Sequence, residues 1–394
     1  MITAHKSIFS VLPVLLLFFA VCADADTRGG TTVLILSPEA FTRIGSDVWA
    51  AGGTGVSRWG MPGAPLSNPA GLDYPSLGFY LEGTQRFTTK WLADIDYDGQ
   101  LIAPLFGSVG FPAGNFNLAF GYANVFDVRY SESVNVTTPN YPEGTGQTYD
   151  FGRSIKTHVF FGSASYPVGE ELSAGLTVGI HYVHHHEDVF DLSANGGGIG
   201  LLLVGGALFR ASDRVSIGGA IHYESPTTFT ETYSVASLTP VSDTTRRITY
   251  VVESDDFTAR FPWSVDLGMA WAATGSLSFM VGGEYQHWSN ISESYKNLVQ
   301  LHLGTEFAVS DQVRLAAGFF TQDAPEDIPG NPLVENFLTF GFRWKVSPAV
   351  NVSASVLDSH LLSSSPSPSI FGSTDERFRQ SSVSIGISYT APTP

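Results

Sequence analysis

The sequence predicts an all-β fold, a transmembrane antiparallel β-barrel of about 14 strands. Three observations support this prediction. Segments of roughly ten residues, the length expected of barrel strands, alternate between apolar and small or polar side chains between about positions 76 and 389, as in 116–122 and 383–389. Only 14% of the 394 residues are charged. After residue 25, the sequence contains none of the runs of roughly 18 or more apolar residues that mark membrane-spanning helices.

Alternation and low charge together favour a barrel in a membrane. A period of two places every second side chain on the same face of a strand, so each strand has an apolar face and a polar one. A soluble protein would carry about 25% charged residues. In lipid, only a closed sheet pairs all the polar backbone groups of its strands. Aromatic residues recur near segment ends, as in the interfacial girdles of such barrels: Tyr122, Tyr182, Tyr223, Tyr285, Trp344 and Tyr389.

Residues 1–25 have the features of a cleaved signal peptide. A positive residue, Lys6, precedes the apolar stretch 8–21, and a small-x-small site follows at 23–25. We therefore expect export to the bacterial outer membrane and a mature chain divided into residues 26–74 and a barrel, 75–394. Cys22 is the only cysteine. Its lipidation is the alternative, but a lipoprotein signal needs a small residue where Val21 stands.

Residues 26–74 lack sustained alternation and are rich in Gly, Ala and Pro. A segment of this composition before the first strand predicts a plug that folds back into the lumen. Asn-Pro initiates turns, and the following Ala-Gly permits close packing against the wall. The residues expected to form the plug or contact a ligand are Asn68, Pro69, Ala70, Gly71, Phe41, Trp49 and Trp59.

The alternating segments number about fourteen, an even number as single-chain bacterial barrels have. They include 215–232 and 248–272, each predicted as one continuous strand. Short connections rich in turn residues alternate with long loops, so we expect the short ones to face the periplasm and the long ones the outside.

The two phases of each strand predict which residues line the lumen. A charge on the lipid face near the membrane midplane costs roughly 2 to 4 kcal/mol, so the apolar phase must face lipid. His158 is an exception, since it falls in the lipid-facing phase. The polar phase predicts either a hydrated, salt-bridged interior or a polar ligand site, lined by His181, His185, His222, Glu224, Asp266, Glu284, Gln300, His302, Glu306, Arg314 and Arg343.

Other classes of function find less support. On a strand, His184 and His186 share one face and His185 the other, so the run 184–186 cannot converge on one metal ion; we expect no metal and no cofactor. No spacing of Ser and His singles out a nucleophile, so we expect no enzyme. The net charge of −17 argues against nucleic acid as a partner.

Two sequence stretches carry a family resemblance. Asn-Pro-Ala-Gly-Leu at 68–72 directly precedes the first strand, and a proline-initiated strand at 261–270 leads to a strand ending in Trp-Ser at 283–289. The chain thereby resembles the long-chain fatty-acid transporter family of outer membranes (FadL/TodX type), and is similar also to the related PorV type. The resemblance implies an N-terminal hatch, a hydrophobic pocket towards the extracellular side and a lateral opening into the bilayer.

We therefore expect an outer-membrane protein that passively admits hydrophobic small molecules, either fatty-acid-like or aromatic hydrocarbons, through a plugged barrel. Its expected partners are outer-membrane lipid, lipopolysaccharide and the hydrophobic ligand. Two alternatives stay open. One is a PorV-type partner in protein secretion or surface attachment, and the other is a general porin for hydrophilic solutes.

Overall fold

A computed structural model describes residues 44–92, 95–136, 147–189, 192–240, 246–291, 293, 295–323, 334–359, 361 and 378–392. The predicted signal peptide and Phe41 lie outside these ranges. Within them, no helix has the length and apolarity that crossing a membrane requires.

Strands make up most of the described residues, and the helices are short. The helices are α1 (Ser46–Ala50), α2 (Ala64–Ser67) and two 3-10 helices, Pro69–Gly71 and Trp288–Asn290. The strands are β1 (Gly78–Leu92), β2 (Ile95–Ala113), β3 (Phe116–Val136), β4 (Gln147–Pro167), β5 (Leu172–Val189), β6 (Leu192–Ser212), β7 (Val215–Glu224), β8 (Thr227–Pro240), β9 (Arg246–Ala259), β10 (Ser264–Ala272), β11 (Leu277–Gln286), β12 (Leu298–Ala308), β13 (Val313–Asp323), β14 (Val334–Lys345), β15 (Val350–Asp358) and β16 (Phe378–Thr390).

Fourteen of these strands close into an antiparallel barrel. Each pairs with its neighbours in sequence, except that β7 pairs directly with β10. Closure comes from β1 and β16, whose register runs from Gly78 opposite Thr390 to Lys90 opposite Phe378. The predicted all-β class and strand number are confirmed.

Strands β8 and β9 form a hairpin outside this ring, which corrects two predicted strands. The prediction of 215–232 and 248–272 as continuous strands is wrong, because each breaks at a proline. Pro226 lies between β7 and β8, and Pro262 lies between β9 and β10. Proline has no N–H to donate to a ladder. The hairpin is therefore not part of the ring, although Thr227 and Phe229 at the start of β8 contact the inward-facing His181 and His185. Among the described residues, its pairing to the ring is a short ladder of β8 with β6.

The two faces of the strands differ as the alternation predicts. On β5, Ile180 is 55% exposed on the outer face, whereas the adjacent His181 is 0% exposed on the inner face. Exposed Leu, Ile, Val and Phe side chains recur around the ring, which is typical of a lipid-facing belt. His158 does face outwards. Its Nδ1 lies 2.6 Å from the Tyr122 hydroxyl, and its ring stacks with those of Tyr122 and Tyr182.

Residues 44–74, here called the N-terminal segment, lie inside the barrel. Helix α1 contacts β13 to β16, while the 3-10 helix at 69–71 contacts β4, β5 and β6. The Leu72 carbonyl accepts hydrogen bonds from Asn117 on β3 and Ser165 on β4. The strands β13 to β16 and β4 to β6 lie on different sides of the ring, so the segment contacts the wall on both sides.

Glycines of the wall make room for this segment. Gly175 pairs with Gly206, Gly218 with Gly268, and Gly304 with Gly318 across adjacent strands. A Cβ atom at Gly206 would lie 2.0 Å from Asn68 Oδ1, and one at Gly318 would lie 2.2 Å from the backbone nitrogen of Gly52. The inner surface is therefore shaped to the backbone of the segment.

Gly318→Ala is predicted to destabilise the protein. At a strand position with free space, replacing glycine by alanine raises the free energy of unfolding by roughly 0.5–1 kcal/mol. At position 318, however, the added methyl group would overlap the backbone of Gly52. Overpacking of this kind costs about 1–3 kcal/mol. Urea unfolding in detergent, followed by tryptophan fluorescence, measures the difference.

Gly169→Ala is the matched control, because no heavy atom lies within 4 Å of a Cβ at this turn position. Its free energy of unfolding should stay within about 0.5 kcal/mol of the parent value. A Gly318→Ala protein as stable as this control would contradict the close fit between segment and wall.

Candidate functional site

A cavity of about 100 Å³ lies above the N-terminal segment, inside the barrel. Its floor includes Ile44 and Leu66 of the segment, and its sides come from β3, β4, β6, β7, β10 and β11. The volume is of the same order as the ~150 Å³ apolar cavity that binds benzene in an engineered protein.

One side of the cavity is apolar. Inward side chains of β3, β4 and β6 form it, and these belong to a buried cluster that extends across β1 and β2 to Tyr80 and Phe106. The expectation that the inward phase is polar is therefore wrong for this part of the ring. Packing against the segment explains the difference, because it gives the barrel an interior core. The wall residues are Val125, Val159, Leu202 and Val204.

The barrel wall is split beside this apolar surface. Among the described residues, the ladder between β2 and β3 ends at Phe106 opposite Ala123. The β1–β2 ladder continues to Leu92 opposite Ile95, and the β3–β4 ladder continues to position 136. Two intact hairpins thus part from each other above Phe106. Their upper strand portions, 95–105 and 124–136, are not paired with each other.

The position of the split suits exchange with lipid. The split begins beside Tyr122. Up to this residue the outward side chains of β3 are apolar or aromatic, and the next outward position is Asn124. Residues 106–113 rise roughly 20 Å along the barrel axis, at ~3.3 Å per residue and a tilt of ~40°. An outward apolar band is about 25 Å tall in such barrels. The split therefore opens at the upper part of the belt, and Val125, at a bulge of β3, lines the cavity next to it.

The opposite side of the cavity carries acidic groups and a histidine. Glu224, Asp266, Glu284 and His222 line it. His222 Nε2 lies 3.1 Å from Asp266 Oδ2. Gln286 donates a hydrogen bond of 2.9 Å to Glu284 and accepts one of 2.8 Å from Trp288 Nε1. These contacts fix the carboxyl groups along the wall.

The remaining histidines are divided between faces and levels. His181 lies 3.2 Å from Glu224 Oε2 through Nδ1 and 2.5 Å from the Thr227 hydroxyl through Nε2. His185 also points inwards, whereas His184 and His186 lie on the outer face. The described residues contain no group of three or more His, Cys, Asp or Glu that could hold a metal.

Two polar side chains anchor the N-terminal segment. Glu82 of β1 accepts hydrogen bonds from the backbone N–H groups of Gly45 and Ser46, at 3.3 and 2.6 Å, and from the Tyr80 hydroxyl. It thereby satisfies N–H groups at the start of α1, which lack partners within the helix.

Asn68 fixes the other end of the segment. Its Nδ2 donates to the carbonyls of Val56 (2.6 Å) and Ala207 (3.1 Å), and its Oδ1 accepts from the Ala70 N–H. The last bond begins the 3-10 helix of Pro69, Ala70 and Gly71. The predicted plug residues 68–71 thus contact the wall directly, although their closure of the lumen stays a prediction.

The predicted aromatic residues of the segment lie at its edges. Trp49 packs on Phe320, with ring centroids 5.5 Å apart. The Arg210 guanidinium lies 5.0 Å from the Trp59 ring centre. Both rings contact wall residues, and neither lines the cavity.

A separate ionic cluster lies below the segment. Glu306 accepts from Arg58 at 2.5 Å and from Arg314 at 2.9 Å, and Arg343 lies 3.2 Å from Asp47. At the level of the segment, His302 Nδ1 lies 2.8 Å from the Gly52 carbonyl, and Gln300 is buried opposite Glu284. Of the predicted lumen residues, four line the cavity and others contact the segment or its cluster, whereas His181 and His185 contact β8.

Sequence reasoning missed Glu82, Asp47 and Arg58. The inward phase of β1 contains Glu82, so sorting the phases of that strand could have found it. Asp47 and Arg58 lie where the sequence has no periodicity, so no pattern marks their partners.

Glu306→Gln is predicted to destabilise the attachment of the segment. The side chains of Arg58 and Glu306 are only 12% and 9% exposed, and removing one partner of a buried ion pair costs about 3–5 kcal/mol. Urea unfolding, together with the rate of limited proteolysis within 44–74, measures the loss. Asp311→Asn, in an exposed turn, is the control; equal effects of the two variants would argue against the anchoring role of Glu306.

Comparison with known proteins shows a shared fold. No protein-family model and no curated protein sequence matches the chain. Among solved structures, the Ralstonia pickettii toluene transporter TbuX gives a TM-score of 0.68 at 13% identity, over 89% of this chain and 99% of that chain. The P. putida toluene transporter TodX gives 0.68 at 12% identity, over 90% and 100%. A Pseudomonas aeruginosa FadL homologue gives 0.62 at 14% identity, over 88% and 98%. The chain therefore has the fold of the FadL/TodX-type channels that its sequence resembles.

Proposed function

We propose that this protein is an outer-membrane channel that passively admits small hydrophobic molecules and exchanges them with the bilayer through the split between β2 and β3. The observation that carries the proposal is the apolar surface that runs from the cavity floor, at Ile44 and Leu66, past Val125 to the end of the β2–β3 ladder at Phe106. Two proteins with a similar fold, TbuX and TodX, are toluene transporters, and this supports small hydrophobic molecules as the cargo.

Physical chemistry favours a lateral route for such cargo. A hydrophobic solute gains about 25 cal/mol for each Å² of apolar surface that leaves water. A continuous apolar path from the cavity to lipid therefore lets it move without entering water again. Downward, the same solute would meet the ionic contacts of Arg58 and Glu306.

The N-terminal segment supports a plugged channel over a general porin. Its backbone contacts wall strands on different sides of the ring, which leaves little room for a wide aqueous pore. A role in secretion or surface attachment stays a prediction, as does contact with lipopolysaccharide.

Val125→Trp is predicted to block the path. Val125 lines the cavity beside the split, and an indole there would fill much of the cavity. Uptake of radiolabelled ethylbenzene into proteoliposomes should fall by at least about tenfold, as expected when the barrier to passage rises by about 1.4 kcal/mol or more.

Val178→Trp is the matched control, because Val178 is 46% exposed on the lipid face of β5. Its uptake rate should stay within about twofold of the parent rate. Unchanged uptake by Val125→Trp would show that the cargo does not pass this point.

Planar-bilayer recordings test the plug. The intact protein is expected to show no large, steady ion current, whereas a variant lacking residues 31–72 should conduct, because removal of the segment empties the cross-section of the barrel. Retained outer-membrane assembly of the deletion variant is the control. A steady large current from the intact protein would instead indicate a porin.

A further inference from the structure

The two sides of the cavity differ in chemistry. The side next to the split is apolar, whereas the far side carries Glu224, Asp266 and Glu284. A cavity for a pure hydrocarbon needs no polar side, and the burial of three carboxyl groups beside it is costly unless they have polar partners. The cavity is therefore amphipathic, with room for a molecule that has both kinds of surface.

The acidic groups are placed close together in the barrel wall. Asp266 and Glu284 are directly opposite each other on β10 and β11, and both are almost fully buried. Like charges at directly opposed positions destabilise a sheet. In ligand cavities, a few converging polar groups of this kind fix the orientation of the ligand.

The lining of this cavity contains His222 but no Lys or Arg. The interior arginines Arg58, Arg314 and Arg343 are held instead in the lower cluster by Glu306 and Asp47. A ligand with a carboxylate head would therefore meet three acidic side chains and no Lys or Arg of the cavity lining.

From this arrangement we infer that the cavity selects small molecules with an apolar ring or short chain and a hydroxyl or amine head group, and rejects those with a carboxylate. The apolar body lies against Val125, Val159 and Leu202, and the head group donates hydrogen bonds to Asp266 and Glu284. This inference rests on the proposed transport function and names the class of its cargo.

Four probes with similar carbon skeletons test the inference: 2-phenylethylamine, 2-phenylethanol, ethylbenzene and phenylacetate. Binding is measured by equilibrium dialysis against the full chain in lipid nanodiscs, with empty nanodiscs subtracted for partitioning. The amine and the alcohol are expected to bind at least about tenfold more tightly than phenylacetate. One hydrogen bond to a buried carboxyl group, charge-assisted for the amine and neutral for the alcohol, accounts for a difference of this order.

Two variants locate the effect. Glu284→Gln and Asp266→Asn, made separately, should each weaken binding of the amine by at least about fivefold and leave that of ethylbenzene within about twofold. Binding of ethylbenzene reports that each variant is folded. Glu171→Gln, at an exposed turn, is the control and should bind all four probes as the parent does.

The outcomes separate this inference from the proposed function. If ethylbenzene binds and is taken up but phenylacetate binds as tightly as the amine, the head-group inference is overturned and the channel stands. An equal loss for all probes in Glu284→Gln also overturns it. If none of the four probes binds the parent protein, both the inference and the proposed function fail.

Discussion

Pairing of backbone N–H and C=O groups is the constraint on which this structure depends, because lipid offers them no alternative partners. The ring meets it by closing β1 on β16 and by joining β7 directly to β10. In the described residues the ring departs from this rule at its upper end, where β2 and β3 part above Phe106. The hairpin β8–β9 leaves the ring at the same end. The ladders in the lower part of the wall are continuous among the described residues, so the split is confined to the upper end.

A filled interior follows from the same closure. The wall strands use their backbone groups in the ladders, so the N-terminal segment pairs its own backbone groups within itself and with side chains. Glu82 and Asn68 supply them, and glycines such as Gly318 allow its backbone to approach the wall. The barrel thereby acquires a core of inward apolar residues, which resembles the core of a soluble domain more than a water-filled lumen.

The arginines and the carboxyl groups of the cavity lie at different levels along the barrel axis. Arginines gather below the segment around Glu306, and carboxyl groups gather above it around the cavity. Arg58, Arg314 and Arg343 each have an acidic partner at short range. The upper carboxyl groups are held by His222, His181 and Gln286. The segment contributes to both levels, with Asp47 and Arg58 in the lower cluster and Ile44 and Leu66 at the cavity.

The sequence by itself determined the barrel, its fourteen strands and the direction of most side chains, because period two and low charge are properties of the chain that need no partner. Pro226 and Pro262 also mark the two positions at which the strands predicted as continuous are interrupted. Tertiary structure alone decided which residues meet. Asn68 contacts Ala207, and Asp47 contacts Arg343, across separations for which no local pattern exists. The split between β2 and β3 is likewise invisible in the sequence, since a strand portion alternates in the same way whether or not its neighbour pairs with it.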